Sequence, residues 1–186
     1  MRFAAQTTPI EGLMLLTRQQ VGDHRGAFSR LFCADQLNKL GWPNGVMQSN
    51  YSQNAEPSTV RGLHFQHPPY AEAKLVTCVN GAVFDVAVDL RAGSNSFGRW
   101  FGAELTPQNG HSLLIPQGFA HGFQVLKPDT SMVYFHSENY LPEAEGGVRY
   151  DDPSLAINWP LPVANVSARD QSLPDLHGAV GEGTNL

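Results

Sequence analysis

The sequence predicts an all-β protein built as an antiparallel sandwich or barrel, with a few short helices. Short runs rich in β-branched and aromatic residues recur at regular spacing along most of the chain, which is typical of such folds. The 18 glycines and 13 prolines are spread between these runs as turn residues and are not clustered. The strand candidates are KLVTCV, AVFDVAVDL, RWFGAEL, SLLIP, GFQVL and SMVYFH.

One helix candidate precedes these strands, in CADQLNKLG (33–41). Asp35 and Gln36 stand early in it, and Gly41 supplies the stop signal. After Pro142 the chain is rich in proline and acidic residues, which predicts an irregular tail with a short helical turn near ARDQSLPDL. Since no repeat or linker interrupts the chain, we expect one domain over residues 1–186, with the tail beginning at about residue 142.

The Asn80-Gly81 pair is the strongest hairpin signal, because both residues tolerate positive φ. A two-residue turn there would join KLVTCV to AVFDVAVDL and make Lys74 and Asp85 diagonal neighbours. Alternation gives one nearly all-apolar face and one face with ionisable groups. The second face would carry Lys74, Val76, Cys78, Val83, Asp85 and Ala87. A polar face turned to bulk water would show the same alternation.

Composition and net charge limit the kinds of binding partner that this protein can have. The 186 residues are 41% hydrophobic and 16% charged, as in a folded domain with a sizeable core. A net charge of −5, without a basic run longer than two residues, argues against a nucleic-acid partner. No stretch reaches membrane-spanning length, the start lacks an uninterrupted apolar signal region, and only Cys33 and Cys78 are present. We therefore expect no membrane partner and a cytoplasmic location.

The segment GHSLLIPQGFAHGFQ (110–124) has the spacing of the second signature of cupin jelly rolls. It predicts a strand, a Pro-x-Gly turn and a second strand carrying His121 inward. Metal-binding cupins also need a His-x-His pair and a glutamate in an earlier strand. Here HFQHPPYAE would aim His64 and His67 at opposite faces, so the ligand set is incomplete and we expect no metal. A metal-dependent cupin oxygenase remains an alternative.

The inward-facing candidates form an acid–base set. They are His64, Lys74, Asp85, His121, Tyr134 and, less directly, His136. The chain contains no Ser-His-Asp order, nucleophile elbow or P-loop. Acids, bases and a cation suit proton abstraction next to a carbonyl, with inversion when acid and base lie on opposite faces of the substrate. A hydrogen-bonded core histidine is the competing interpretation of His64.

RGLHFQ (61–66) poses a geometric problem within this set. Arg61 and His64 are three positions apart, so a regular strand sends them to opposite faces. A bulge at Gly62 would turn both inward.

Nine ordered segments resemble the dTDP-4-dehydrorhamnose 3,5-epimerase family over roughly residues 10–170. They are DHRGAF, MQSNYS, RGLHFQ, AKLV, GAVFDVAVDLR, SFGRW, IPQGFAHGF, YDDPSLAINWPL and SARD. The resemblance implies a cupin-type double-stranded β-helix, or jelly roll, a homodimer and no cofactor. It also implies a nucleotide-linked 4-keto-6-deoxysugar as substrate, whose C3 and C5 both flank the ketone.

The resemblance also implies roles for individual residues. His64 would be the base, Asp170 its orienting carboxylate, Lys74 the cation that stabilises the enolate, and Tyr134 the acid on the opposite face. Residues that would bind the sugar, the phosphates and the nucleotide are Arg25, Gln48, Asn50, Arg61, His121, Tyr140 and Arg169.

The chain departs from the family pattern in two places. The family's YKTTDYY-like stretch reads YFHSENY here, with Tyr134 and Tyr140 kept. Ala27 and Arg30 stand where the family has a phenylalanine and a glutamate. His67 and His136 have no counterpart, and we expect neither to be catalytic. A sibling 3-epimerase or keto-isomerase of nucleotide deoxysugars, or a non-catalytic sugar-binding cupin, are the alternatives.

Overall fold

Two facing sheets form the body of the protein in the computed structural model, which describes residues 2–43 and 45–180. In chain order the strands are β1 Phe3–Thr7, β2 Met14–Arg18, β3 Gln20–Asp23, β4 Gly26–Ser29, β5 Gln48–Asn54, β6 Thr59–Gln66, β7 Lys74–Asn80, β8 Val83–Asp89, β9 Trp100–Leu105, β10 His111–Ile115, β11 Phe119–Val125, β12 Thr130–His136, β13 Glu145–Gly147 and β14 Asn165–Val166. The helices are α1 Ala34–Leu37, α2 Ala168–Gln171 and α3 Leu176–Val180, with 3₁₀ turns at Asn38–Leu40 and Pro142–Ala144.

The first sheet has the strand order β1-β2-β10-β7-β12-β5, and the second has β13-β6-β11-β8-β9 with β14 added beside β6. Nearly all neighbours are antiparallel; β14 runs parallel to β6. Strands adjacent in sequence often lie in different sheets, which is the connectivity of a jelly roll. The predicted all-β, cupin-type fold is thus confirmed.

The main core lies between the two sheets. Apolar side chains from both inner faces meet there, including Val76, Cys78, Leu113, Met132, Val83, Ala87 and Phe123. The outer face of the first sheet is covered by the segment around α1, where Leu37 and Trp42 pack on Leu75. The C-terminal tail covers the outer face of the second sheet, with Leu155 and Leu176 against it. The tail is therefore part of the folded body and reaches the edge of β6.

The predicted hairpin at Asn80-Gly81 is wrong. β7 pairs with β10 and β12, whereas β8 pairs with β9 and β11, so the turn connects the two sheets. Gly81 does adopt positive φ (78°), and a Cβ there would collide with Thr130. The turn signal specified the bend but not the strand partners. The predicted division of each strand into two faces is nevertheless correct. The Lys74 face of β7 and the Asp85 face of β8 both point into the core, from opposite sheets.

Several local predictions are confirmed. CADQLNKLG forms α1 and a 3₁₀ turn that ends at Gly41 with φ 98°. The segment 110–124 forms β10, a turn with Gly118 at φ 80°, and β11. A short helix, α2, forms within ARDQSLPDL. Among the described residues, none of the helices has the length and apolar character needed to cross a bilayer; the cytoplasmic location stays a prediction.

Candidate active site

A cavity of about 640 Å³ opens between the two sheets near the end of β6. Its size is in the range of ligand pockets. Ten of the eleven residues that the sequence predicted for the site line it: Gln48, Asn50, Arg61, His64, Lys74, His121, Tyr134, Tyr140, Arg169 and Asp170. Residues from both sheets and from the tail therefore converge on one space, although they are distant in sequence.

A bulge in β6 brings Arg61 and His64 to the same cavity. His121 on β11 pairs with His64 and Phe123 pairs with Arg61, so β6 spans three residues where β11 spans two. Gly62 lies within the bulge at φ 112°. A Cβ there would come within 2.7 Å of the His121 carbonyl oxygen and of Gly122 Cα. The bulge predicted at Gly62 is confirmed.

His64 and Asp170 form a dyad on the second-sheet wall. β14 runs beside β6 and leads into α2, whose N-cap Ser167 accepts a hydrogen bond from the Asp170 amide at 3.0 Å. Asp170 Oδ1 lies 2.8 Å from His64 Nε2, and Oδ2 accepts the Gly62 amide at 3.1 Å. Since an ionised carboxylate only accepts, Nε2 carries the proton and Nδ1 is the basic nitrogen.

The electrostatics of Asp170 favour its ionised form. Burial alone would raise the pKa of Asp170, but the hydrogen bonds from His64 and from the Gly62 amide outweigh burial and lower the pKa below its ordinary value. The imidazole of His64 is therefore held by a charged partner, while its side chain remains 31% exposed.

The opposite wall belongs to the first sheet and carries Tyr134 and Lys74. The Tyr134 hydroxyl lies 2.9 Å from Ser52 Oγ on β5, and burial raises the pKa of Tyr134. The phenol is therefore protonated at neutral pH. Lys74 Nζ donates to the His64 carbonyl at 3.1 Å and forms an ion pair with Glu72 Oε1 at 2.8 Å. A protonated phenol and an ammonium thus face an imidazole across the cavity.

A second dyad, His121–Asp85, lies deeper. His121 Nε2 is 3.0 Å from Asp85 Oδ2, and the two side chains are 7% and 0% exposed. Burial raises the pKa of Asp85, although His121 and Lys74 oppose the shift. Asp85 Oδ1 has no hydrogen-bond partner within the described part of the chain.

Further polar groups that line the cavity suit an anionic ligand. Arg61 Nε donates to the neutral Asn54 side chain at 2.7 Å, and Arg61 makes no ion pair within residues 2–43 and 45–180. Arg169 is paired with Glu145, which also accepts from the Tyr140 hydroxyl at 2.8 Å. The Arg61 charge is therefore available to a phosphate.

Gln48 and Asn50 are joined to each other and to the Tyr140 backbone. Gln48 Nε2 donates to Asn50 Oδ1 at 3.1 Å, and Gln48 Oε1 accepts from the Tyr140 amide at 3.0 Å. Both side chains project from the same face of β5, two residues apart, as alternation requires.

Arg25 is the predicted site residue that the chain does not bring to this cavity. It lies in the turn between β3 and β4, its side chain is 78% exposed, and it pairs with Asp23 at 2.6 Å. Within the described residues, β3 and β4 pair only with each other. A role for Arg25 at this cavity cannot come from the same copy in this conformation.

The cavity also contains polar residues to which the sequence analysis gave no role in the chemistry, although it named His136 as an inward-facing candidate. They include Ser52, Glu72, His136 and Glu145. Alternation gave a signal for two of them, since Ser52 follows Gln48 and Asn50 by even steps and His136 follows Tyr134 by two. Burial, together with the charges of Lys74 and His121, lowers the pKa of His136 to about 4. Glu72 and Glu145 lie outside the periodic runs, where no such signal exists.

The described residues contain no group of three or more His, Cys, Asp or Glu side chains placed to hold a metal ion. His67 does not line the cavity; its ring lies against that of Phe65, with centroids 4.9 Å apart. The cavity offers a base on one wall, an acid and a cation on the opposite wall, and an arginine with no ion pair among the described residues. These groups can move protons on a bound anionic ligand.

Comparison with known proteins agrees with this chemistry. The family model described as dTDP-4-dehydrorhamnose 3,5-epimerase matches residues 7–178. A protein of that name from Sinorhizobium fredii is 45% identical over 172 residues, which cover 92% of this chain and 88% of the relative. A dTDP-4-dehydrorhamnose 3-epimerase from Streptomyces niveus is 40% identical over 163 residues, covering 87% of this chain and 78% of the relative.

A solved structure is similar over the same extent. The dTDP-6-deoxy-D-glucose-3,5-epimerase from Legionella pneumophila, crystallised with dTDP-4-keto-L-rhamnose, superposes with a TM-score of 0.90 at 38% identity. The match covers 94% of this chain and 93% of that one.

Proposed function

The chain belongs to the dTDP-4-dehydrorhamnose 3,5-epimerase family, and from this premise we propose that it inverts C3 and C5 of dTDP-4-keto-6-deoxy-D-glucose to give dTDP-4-keto-L-rhamnose. Both carbons flank the C4 ketone, so each carries a proton that a general base can remove. The reaction is an isomerisation, with no net gain or loss of atoms.

In the proposed mechanism His64 removes the proton from the carbon next to the ketone. The electron pair moves to O4, where the Lys74 ammonium stabilises the resulting enolate. Tyr134 then gives its phenolic proton to the opposite face of the same carbon. His64 loses its proton to solvent and Tyr134 regains one, so each inverted carbon carries hydrogen from water.

The observation that supports this mechanism most is the placement of base and acid on opposite walls. His64 belongs to β6 of the second sheet and Tyr134 to β12 of the first. A sugar ring between them presents one face to each group. Removal from one face and return to the other is what inversion requires.

The substrate's anionic half would lie along the polar end of the cavity. We assign Arg61 to the diphosphate, because it has no carboxylate partner in the part of the chain that the structure describes, and Arg169 with Tyr140, Gln48 and Asn50 to the phosphates and nucleotide. His121 would contact the sugar beside Tyr134, since their rings lie 6.3 Å apart.

Incubation with the dTDP-keto sugar in D₂O tests the function directly. We expect NMR to show deuterium at both C3 and C5 of the product. In His64→Ala the rate of deuterium incorporation should fall about a thousandfold at both carbons. His67→Ala is the matched control, because His67 does not line the cavity. Exchange that persists in His64→Ala would remove His64 as the base; binding without exchange in the unaltered protein would favour a non-catalytic sugar-binding cupin.

A 3-epimerase is the second candidate function, supported by the likeness to the Streptomyces niveus protein and by the altered YFHSENY stretch. Such an enzyme would label C3 alone. The same experiment therefore separates the two.

We also propose a homodimer in which the β3–β4 hairpin of one copy reaches the cavity of the other. The hairpin exposes Val21 (50%) and Phe28 (66%), and it carries Arg25 away from its own copy's cavity. Co-expression of Arg25→Ala and His64→Ala chains gives the test. If Arg25 acts in the other copy, mixed dimers contain one intact site and recover activity. If it acts within its own copy, mixing restores none, and full activity of Arg25→Ala alone would show that Arg25 has no role.

A further inference from the structure

Glu72 is a buried carboxylate beside the cavity that the mechanism above does not use. It lies two residues before Lys74, the first residue of β7, and is 8% exposed. Its Oε1 is 2.8 Å from Lys74 Nζ. Its Oε2 is buried without a hydrogen-bond partner among residues 2–43 and 45–180.

We infer that Glu72 is the positioning residue for Lys74: it holds the ammonium at the point where the negative charge develops on the ketone oxygen. The inference rests on the proposed role of Lys74 in stabilising the enolate. It assigns to Glu72 no contact with the substrate and no proton transfer.

The surroundings of Lys74 explain why it needs such a residue. An ammonium on a flexible four-carbon stem is a mobile charge, and it has three N–H donors. The His64 carbonyl oxygen accepts one of them at 3.1 Å, and Glu72 Oε1 holds the same Nζ atom from a second position, at 2.8 Å. One N–H of Lys74 therefore remains for a third acceptor in the cavity. In the proposed mechanism that acceptor is the ketone oxygen of the substrate.

The other charges that face Lys74 are engaged elsewhere. Asp85 on β8 is bonded to His121, and Asp170 on α2 is bonded to His64. His136 on β12, the cross-strand partner of Lys74, has a pKa lowered to about 4 and is neutral at pH 7. In the described part of the chain, Glu72 is the carboxylate within ion-pair distance of Lys74.

A purely stabilising role fits the geometry poorly. A buried ion pair stabilises a fold only when its remaining lone pairs are satisfied, and apolar residues of similar volume often do as well or better. Glu72 Oε2, which has no hydrogen-bond partner in the described part of the chain, fails that condition. The pair is better explained by what it does for the position of the cation.

A double-mutant cycle tests the inference, using Glu72→Leu, Lys74→Met and the double variant, with Glu72→Gln as the conservative change. The double variant replaces the buried pair with apolar side chains of similar volume and should fold. We expect Glu72→Leu to lower kcat about a hundredfold with KM changed less than about threefold, because a misplaced catalytic group costs rate and not affinity. Glu72→Gln, which keeps an oxygen for Nζ, should retain kcat within about fivefold.

The decisive comparison is made in the Lys74→Met background. If Glu72 acts through Lys74, adding Glu72→Leu to Lys74→Met changes kcat no further. An equal loss in both backgrounds, or an unchanged kcat in Glu72→Leu alone, overturns the inference. Glu143→Leu, at an exposed glutamate outside the cavity, is the control.

The failure of the proposed function has a different signature. If Lys74→Met itself keeps full kcat, the role of Lys74 is wrong and the inference falls with it. If Lys74→Met is impaired and Glu72→Leu is not, the inference alone is wrong.

Discussion

The two histidine–aspartate pairs of the cavity contain the same groups, and their histidines lie on the neighbouring strands β6 and β11, yet they differ in exposure, in hydrogen bonding and in the pKa of the aspartate. His64 is 31% exposed and His121 is 7% exposed. Both oxygens of Asp170 accept hydrogen bonds, whereas one oxygen of Asp85 has no partner in the described residues. The pKa of Asp170 is lowered and that of Asp85 is raised.

This difference teaches that the surroundings of a dyad, and not its composition, fix what it can do. A charged, fully bonded Asp170 can stabilise an imidazolium that forms when His64 accepts a proton. Asp85 lies in an apolar interior that disfavours its charge, so the second dyad is suited to hold His121 in place. The following predictions test that division.

The largest expected effect comes from removing the charge of each aspartate in turn. Asp170→Asn should lower the rate of deuterium exchange about a thousandfold, since the imidazolium loses its counter-charge. Asp85→Asn should lower the exchange rate by a factor at least ten times smaller than that for Asp170→Asn. Exchange rates measured by NMR under saturating substrate give both numbers, and equal losses would show that the two dyads share the chemistry.

Gly62→Ala tests the geometry that places His64 beside His121. The new Cβ would meet the His121 carbonyl and Gly122 at 2.7 Å, and φ is already 112°. We expect a loss of about 3 kcal/mol in the free energy of unfolding, measured by denaturant titration. Gly93→Ala is the control at positive φ with open space, and it should cost about 1 kcal/mol. Equal costs would mean that the close packing of the bulge is unimportant.

Tyr134→Phe tests the first-sheet wall, which faces His64 and His121 across the cavity. The variant keeps the ring contacts but loses the only proton that the phenol can give. We expect some exchange to persist, since His64 is intact, while inversion at C5 falls about a hundredfold. Product stereochemistry by NMR provides the measurement. Unchanged inversion would assign the acid to another group.

The smallest effect concerns His136, whose pKa of about 4 reflects burial first and then the charges of Lys74 and His121. An unfolded histidine binds a proton near pH 6.5, so the unfolded state gains protons first as pH falls from 6.5 to 4, and the fold loses stability there. Between pH 6.5 and pH 4, the free energy of unfolding of His136→Gln should fall by about 2 kcal/mol less than that of the parent protein. Urea titrations at pH 7 and pH 4.5 measure the difference, with the exposed His24→Gln as control; identical pH dependence would contradict the assigned shift.

The sequence predicted β6 to β12, the α1 helix and ten of the cavity residues because these depend on local periodicity or on family motifs, but β1 to β5, β13 and β14 were not among its strand candidates. It failed at Asn80-Gly81, where a turn signal carries no information about which sheet each strand joins. It missed Glu72 and Glu145 because they lie outside the periodic runs of the sequence, where position depends on tertiary contacts. The bulge at Gly62 was predictable, since Arg61 and His64 could share a cavity in no other way.

The position of Asp170 in the chain has a consequence for how the molecule matures. All fourteen strands described here precede α2, so a ribosome delivers both sheets and the imidazole before it delivers the carboxylate. A truncated or clipped molecule lacking α2 would retain the strands that form the pocket walls, including Arg61 on β6, yet the imidazole of His64 would lose its Asp170 partner. The His64–Asp170 pair is therefore completed only after both sheets have been synthesised and α2 has docked beside β6.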